Sequence, residues 1–79
     1  MNISGYSTEE TESRLLAMAE ITLIATPDEL RRIAAFLASA ADEMQRMGAA
    51  YGHEHLCDRQ PGFDDSPQLV VFNADLLAR

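Results

Sequence analysis

Seventy-nine residues with 13 Asp+Glu against six Lys+Arg, all arginine, give a net charge of −7, which excludes ready attraction to nucleic acid or to an anionic membrane. Apolar residues make up 47 % of the chain, enough for one core and too many for wholesale disorder. No apolar run nears the roughly 20 residues that span a bilayer, and a single cysteine, Cys57, cannot form an internal disulfide.

Residues 1–12, MNISGYSTEETE, read as a flexible lead: Glu9, Glu10 and Glu12 repel one another and Gly5 adds freedom. This start has neither a basic region nor an apolar stretch, so no signal peptide is read there. With the unpaired cysteine it points to a cytoplasmic protein, folded as one domain over residues 13–79. Residues 14–25, RLLAMAEITLIA, alternate as Ile21, Leu23, Ala25 against Thr22, Ile24, Thr26 in their second half. One long strand is predicted, with a bulge near Ala19–Glu20 that would place Met18 and Leu16 on the face of Ile21 and Leu23; the alternative is a helical turn that ends near Ala19.

TPDEL is the clearest local signal. Thr26 can cap, Pro27 needs no amide donor at the first helical position, and Asp28 and Glu29 suit the positive end of the helix dipole. Glu29, three residues after Thr26, completes a capping box. The helix then carries Leu30, Ile33, Leu37, Ala41 and Met44, joined by Ala34, as its expected core stripe, with Phe36, Ala40 and Met47 on one flank. Asp28–Arg32 and Asp42–Arg46 are spaced as supporting pairs, and Gly48 supplies the stop after about 20 residues.

HEHLCD is a short strand candidate, RQPGFDDSP a loop, and QLVVFN the last strand. Asn73 can then cap a helical turn in ADLLAR, or that segment can pack as a tail. The expected architecture is α+β: a two-layer β-α-β-β unit with one long helix on a three-stranded mixed sheet, order 2-3-1. The last two strands would pair antiparallel across the 59–67 loop, and the last would lie centrally beside the first. One helix covers one face only. The other would expose apolar side chains, so a homodimer through that open face or through the sheet edges is expected.

The segment GHEHLCD holds both histidines and the cysteine. On a strand, His53, His55 and Cys57 would share one face, a spacing that can serve a zinc-like metal. Against this, structural zinc sites bring two separated ligand pairs, and here everything lies in one segment. The bland reading is half-exposed, hydrogen-bonded histidines with Cys57 as a small hydrophobe. A Cys57–histidine catalytic pair lacks an evident oxyanion site. A third use of the histidines is a pH-sensitive interface. No phosphate loop or dinucleotide fingerprint is present, and neither an enzyme nor a cofactor is expected.

From ITLIATPDELRRIAAFLASAADEM through GHEHLCD to PQLVVFN, about residues 20–73, the chain resembles the bacterial immunity protein 32 family of polymorphic toxin systems. The shared pattern is a strand, an (S/T)-P-(D/E)-E-L helix start, a long helix ending in M…G, a HEHL-like strand and a (L/I)-V-V-(F/V)-N strand. An aromatic in the loop before the last strand also belongs to it, here Phe63. The resemblance implies a non-enzymatic protein that binds and neutralises a cognate toxin. The surface expected to meet such a partner, with a basic toxin domain as the candidate, is His53, Glu54, His55, Asp58, Phe63, Asp64 and Asp65. The alternative is a metal-binding or metal-sensing protein using His53, His55 and Cys57.

Overall fold

The capping box forms. In the computed structural model, which describes residues 1–7 and 17–77, helix α1 runs Pro27–Met47. Thr26 Oγ1 accepts from the Glu29 amide at 3.2 Å, and Glu29 Oε1 accepts from the Thr26 amide at 2.9 Å. Gly48 ends the helix at φ 57°, a left-handed value that a side chain disfavours.

Five further elements and two 3₁₀ turns complete the described chain. Strands β1 (Asn2–Ser7) and β2 (Met18–Ile24) precede α1, and a 3₁₀ turn at Gly48–Ala50 follows it. Then come β3 (His53–His55), the one-turn helix α2 (Leu56–Arg59), β4 (Val70–Phe72) and a 3₁₀ turn at Ala74–Leu76 capped by Asn73.

The α+β class and the single long helix hold, but the three-stranded sheet of order 2-3-1 does not form. Among the described residues there are two two-stranded antiparallel sheets, β1–β2 and β3–β4. The pairing of the last two strands is as expected, with His53 opposite Phe72 and His55 opposite Val70. The first expected strand, now β2, pairs instead with β1. A neighbour in sequence can pair antiparallel directly, whereas a parallel partner must be reached through the whole crossover helix. Residues 2–7, expected to be part of a flexible lead, are therefore a strand; residues 8–12 lie outside the described residues. Ile3 and Tyr6 sit at odd and even positions, so NISGYS shows no apolar alternation.

The bulge in β2 falls where it is expected. Tyr6 pairs Glu20 and Ser7 pairs Met18, so Ala19 is the extra residue. Residues 14–16, the start of the long predicted strand, lie outside the described residues.

The core is displaced toward the predicted flank of α1, and of the expected centre line Ile33 alone is fully buried. Ile33, Phe36 and Ala40 are buried, while Leu30 and Leu37 remain 47 % and 45 % exposed. The β3–α2–β4 body docks against the Phe36 side, bringing Leu56 and Phe63 into one cluster with Ile33 and Phe36. Met1, Cys57, Leu69 and Val71 pack around it. Phe36, Phe63 and Leu56 are the most completely buried large side chains, each contributing about 1.5–3 kcal/mol by removal from water. The predicted i,i+4 pairs are replaced by i,i+3 pairs, Asp28–Arg31 and Glu43–Arg46. Arg32 is drawn off to donate to the Pro61 carbonyl at 3.2 Å.

Candidate functional site

The predicted strand HEHLCD ends at His55. From Leu56 to Arg59 the chain turns into α2, anchored where the Leu56 amide donates to the Leu69 carbonyl at 2.9 Å. This turn defines the site. Had the strand continued, Cys57 would share a face with His53 and His55. Instead His53 and His55 remain together, with ring centroids 5.3 Å apart and edge to face, and Cys57 leaves with the helix. His53 also stacks on its cross-strand neighbour Phe72 at 6.4 Å.

The same turn curls Arg59 back onto Glu54. Its Nε and Nη2 donate to the two carboxylate oxygens at 2.5 and 3.0 Å, a two-pronged pair on a half-buried carboxylate. Glu54's hydrogen bond and charge raise the Arg59 pKa above its already high ordinary value. His53, Glu54, His55, Asp58 and Arg59 thus line one open hollow of about 430 Å³.

Two residues before His53, Tyr51 is buried, and its hydroxyl closes no hydrogen bond among the described residues. Burial, and then the Glu54 charge, push its pKa above the ordinary phenol value, so it stays a neutral hydroxyl at physiological pH. Gln68, two residues before β4, links His55 to Cys57: its Oε1 lies 3.3 Å from His55 Nδ1 and accepts from Cys57 Sγ at 3.3 Å. Cys57 and His55 therefore converge on one amide oxygen rather than on each other. Among the described residues no group of three or more His, Cys, Asp or Glu is arranged to hold a metal ion.

Of the seven residues singled out in the sequence, His53, Glu54, His55 and Asp58 come together in the hollow. Asp64 and Asp65 are exposed in the turn that follows. Phe63 is only 2 % exposed: it is a core side chain that holds this turn in place. The turn is further held by the Ser66 amide donating to the Phe63 carbonyl at 3.1 Å. Arg32 also packs so close to Gly62, at φ 91°, that a β-carbon there would lie 2.6 Å from Nη1. Arg59 and Gln68 belong to the site but carry no mark in the sequence that singles them out. The one available signal is the five-residue spacing from Glu54 to Arg59, legible only once a helical turn is placed between them.

No helix among the described residues is long and apolar enough to cross a membrane. No curated protein and no solved structure matches this chain. The sequence profile described as immunity protein 32 matches residues 20–74, from within β2 to the turn after β4 and across every residue of the hollow. Covering well over half of the sequence, this match shows that the chain belongs to the immunity protein 32 family.

Proposed function

We propose that this protein is a stoichiometric inhibitor that binds a cognate protein toxin in the cytoplasm and neutralises it without turnover, itself forming a homodimer. The family match over residues 20–74 carries the reading, because the hollow and the aspartate turn both lie within it.

The contact surface is His53, Glu54, His55 and Asp58, extended by Asp64 and Asp65. Phe63 acts from beneath by fixing the turn. Glu54 is neutralised by Arg59, whereas Asp58, Asp64 and Asp65 are exposed and pair with no basic side chain among the described residues. Such a surface favours a basic partner, and the chain's net charge of −7 would speed the encounter through long-range attraction.

The test is protection of a bacterial host expressing the toxin domain encoded beside this protein. Wild-type protein should restore growth and form a one-to-one complex by calorimetry, with an association rate that falls as salt rises. Charge reversal at all three aspartates (Asp58→Lys, Asp64→Lys, Asp65→Lys) should weaken binding by about 100-fold, largely through association. A toxin domain that neither binds nor is neutralised would overturn the proposal.

A further inference from the structure

Two apolar surfaces on this chain have no partner among the described residues. The first is one face of the β1–β2 hairpin. Pairing sets Ile3 opposite Leu23 and Gly5 opposite Ile21, so these four positions share a face. The bulge at Ala19 brings Met18 to that same face, opposite Ser7. Gly5 makes room there: an added β-carbon would lie 2.6 Å from Met18 Cε and collide with the Glu20 carbonyl oxygen. None of these residues is charged, while the opposite face mixes Tyr6 and Ile24 with Asn2, Ser4, Thr22 and Glu20. Ile21 is 58 % exposed and Met18 45 %.

The second surface is the stripe Leu30, Ala34, Leu37, Ala41 on α1, spaced i, i+4, i+7, i+11 and exposed along its length. Its two alanines would let a flat sheet face approach closely.

The two surfaces do not meet within one copy. Only Ala25 and Thr26 separate β2 from α1, and Thr26 is locked in the capping box. At the hairpin's other strand, the Met1 ammonium is held by Glu29 Oε2 at 2.7 Å and Ser66 Oγ at 3.1 Å. The hairpin therefore stands away from the helix stripe. The dimensions agree: the radius of gyration is 14.0 Å, against about 11.6 Å for a compact chain of this length. The accessible surface is 6061 Å², against roughly 4,700 Å² for a compact monomer of this mass. A surface this large leaves room for the ~800 Å² per partner that a stable interface buries.

We propose that a second copy of this chain covers both surfaces at once. In a two-fold dimer, the hairpin face of each copy (Ile3, Met18, Ile21, Leu23) lies on the Leu30–Ala34–Leu37–Ala41 stripe of the other. Two-fold symmetry uses each surface twice and leaves neither open. This rests on the homodimer reading above and names its interface; the hollow at His53–Arg59 takes no part and stays available. Because both copies are acidic and the joined surfaces are uncharged, added salt tightens the dimer, the opposite of its effect on toxin binding.

Sedimentation and cysteine cross-linking test this. Wild-type protein sediments as a dimer, and Ile21→Glu or Leu37→Glu weakens self-association by roughly 30-fold or more, with helix content by circular dichroism unchanged because both positions are exposed. For geometry, Ile21→Cys and Leu37→Cys are each made in a Cys57→Ala background. The mixture of the two cross-links under oxidation, while each alone does not. Cross-linking of Ile21→Cys alone would mean hairpin on hairpin, and of Leu37→Cys alone helix on helix; either overturns this interface while leaving the homodimer intact. A wild-type chain that stays monomeric at millimolar concentration overturns both.

Discussion

The β3–α2–β4 body and the β1–β2 hairpin are both two-stranded, both antiparallel and both rich in β-branched and aromatic side chains, yet only one of them builds a core. The body presents Leu56, Phe63 and Val71 to the Phe36 flank of α1, and Leu56 and Phe63 are almost wholly buried. Every residue of β2 is exposed. A two-stranded sheet alone is marginal in water; what separates the two regions is possession of a helix to lie on. The apolar pattern of a segment reveals that it needs a partner, but not which surface supplies one.

That contrast can be broken or sharpened by substitution. Phe63→Ala should cost about 3–5 kcal/mol of unfolding free energy, enough to unfold much of a chain this small; a urea midpoint equal to wild type would remove the distinction. Asn73→Ala comes next, at about 1–3 kcal/mol. It deletes donors to the Gly48 and Tyr51 carbonyls, both at 3.1 Å, and the cap on Asp75. Thr26→Ala, at the joint between hairpin and helix, should cost about 1 kcal/mol, read from the thermal midpoint. The smallest effect is expected for Ile21→Thr, within about 0.5 kcal/mol when measured at dilutions where the chain is monomeric. If Ile21→Thr instead rivals Phe63→Ala there, the hairpin is part of the core after all.

Acid tests the joint in another way. The Met1 ammonium, followed by the Thr26 amide, holds the Glu29 pKa down at about 2 from an ordinary 4.5. The folded value is depressed, so its contribution is fully present above pH 4.5 and fades as pH falls through about 2. Glu29→Gln should flatten the dependence of the urea midpoint across that window and leave it unchanged in slope between pH 6 and 8.

Local chemistry is legible in the sequence; docking is not. TPDEL announces α1 through side chains that act within four residues of each other, and Gly48 marks its end. The Ala19 bulge, the β3–β4 pairing and the Asn73 cap are likewise written in short-range pattern. Which side of α1 is covered is not, because Leu30/Leu37 and Phe36/Ala40 are comparably apolar flanks and only tertiary contact chooses between them. The site is half legible. His53, Glu54, His55 and Asp58 stand out within one segment, but the turn at Leu56 that folds Arg59 over Glu54 depends on the Leu69 carbonyl, 13 residues away along the chain. Phe63 reads as a contact because an aromatic in a loop looks the same in sequence whether it faces out or in.

Asn73 has a kinetic consequence. One buried residue bonds to Gly48, Tyr51 and Gly52 on one side and to Asp75 and Leu76 on the other. The end of α1 and the turn at Ala74–Leu76 therefore cannot fray separately. Their amide protons should exchange with deuterated solvent as one cooperative unit, at a shared rate, while those of the hairpin exchange on their own faster clock.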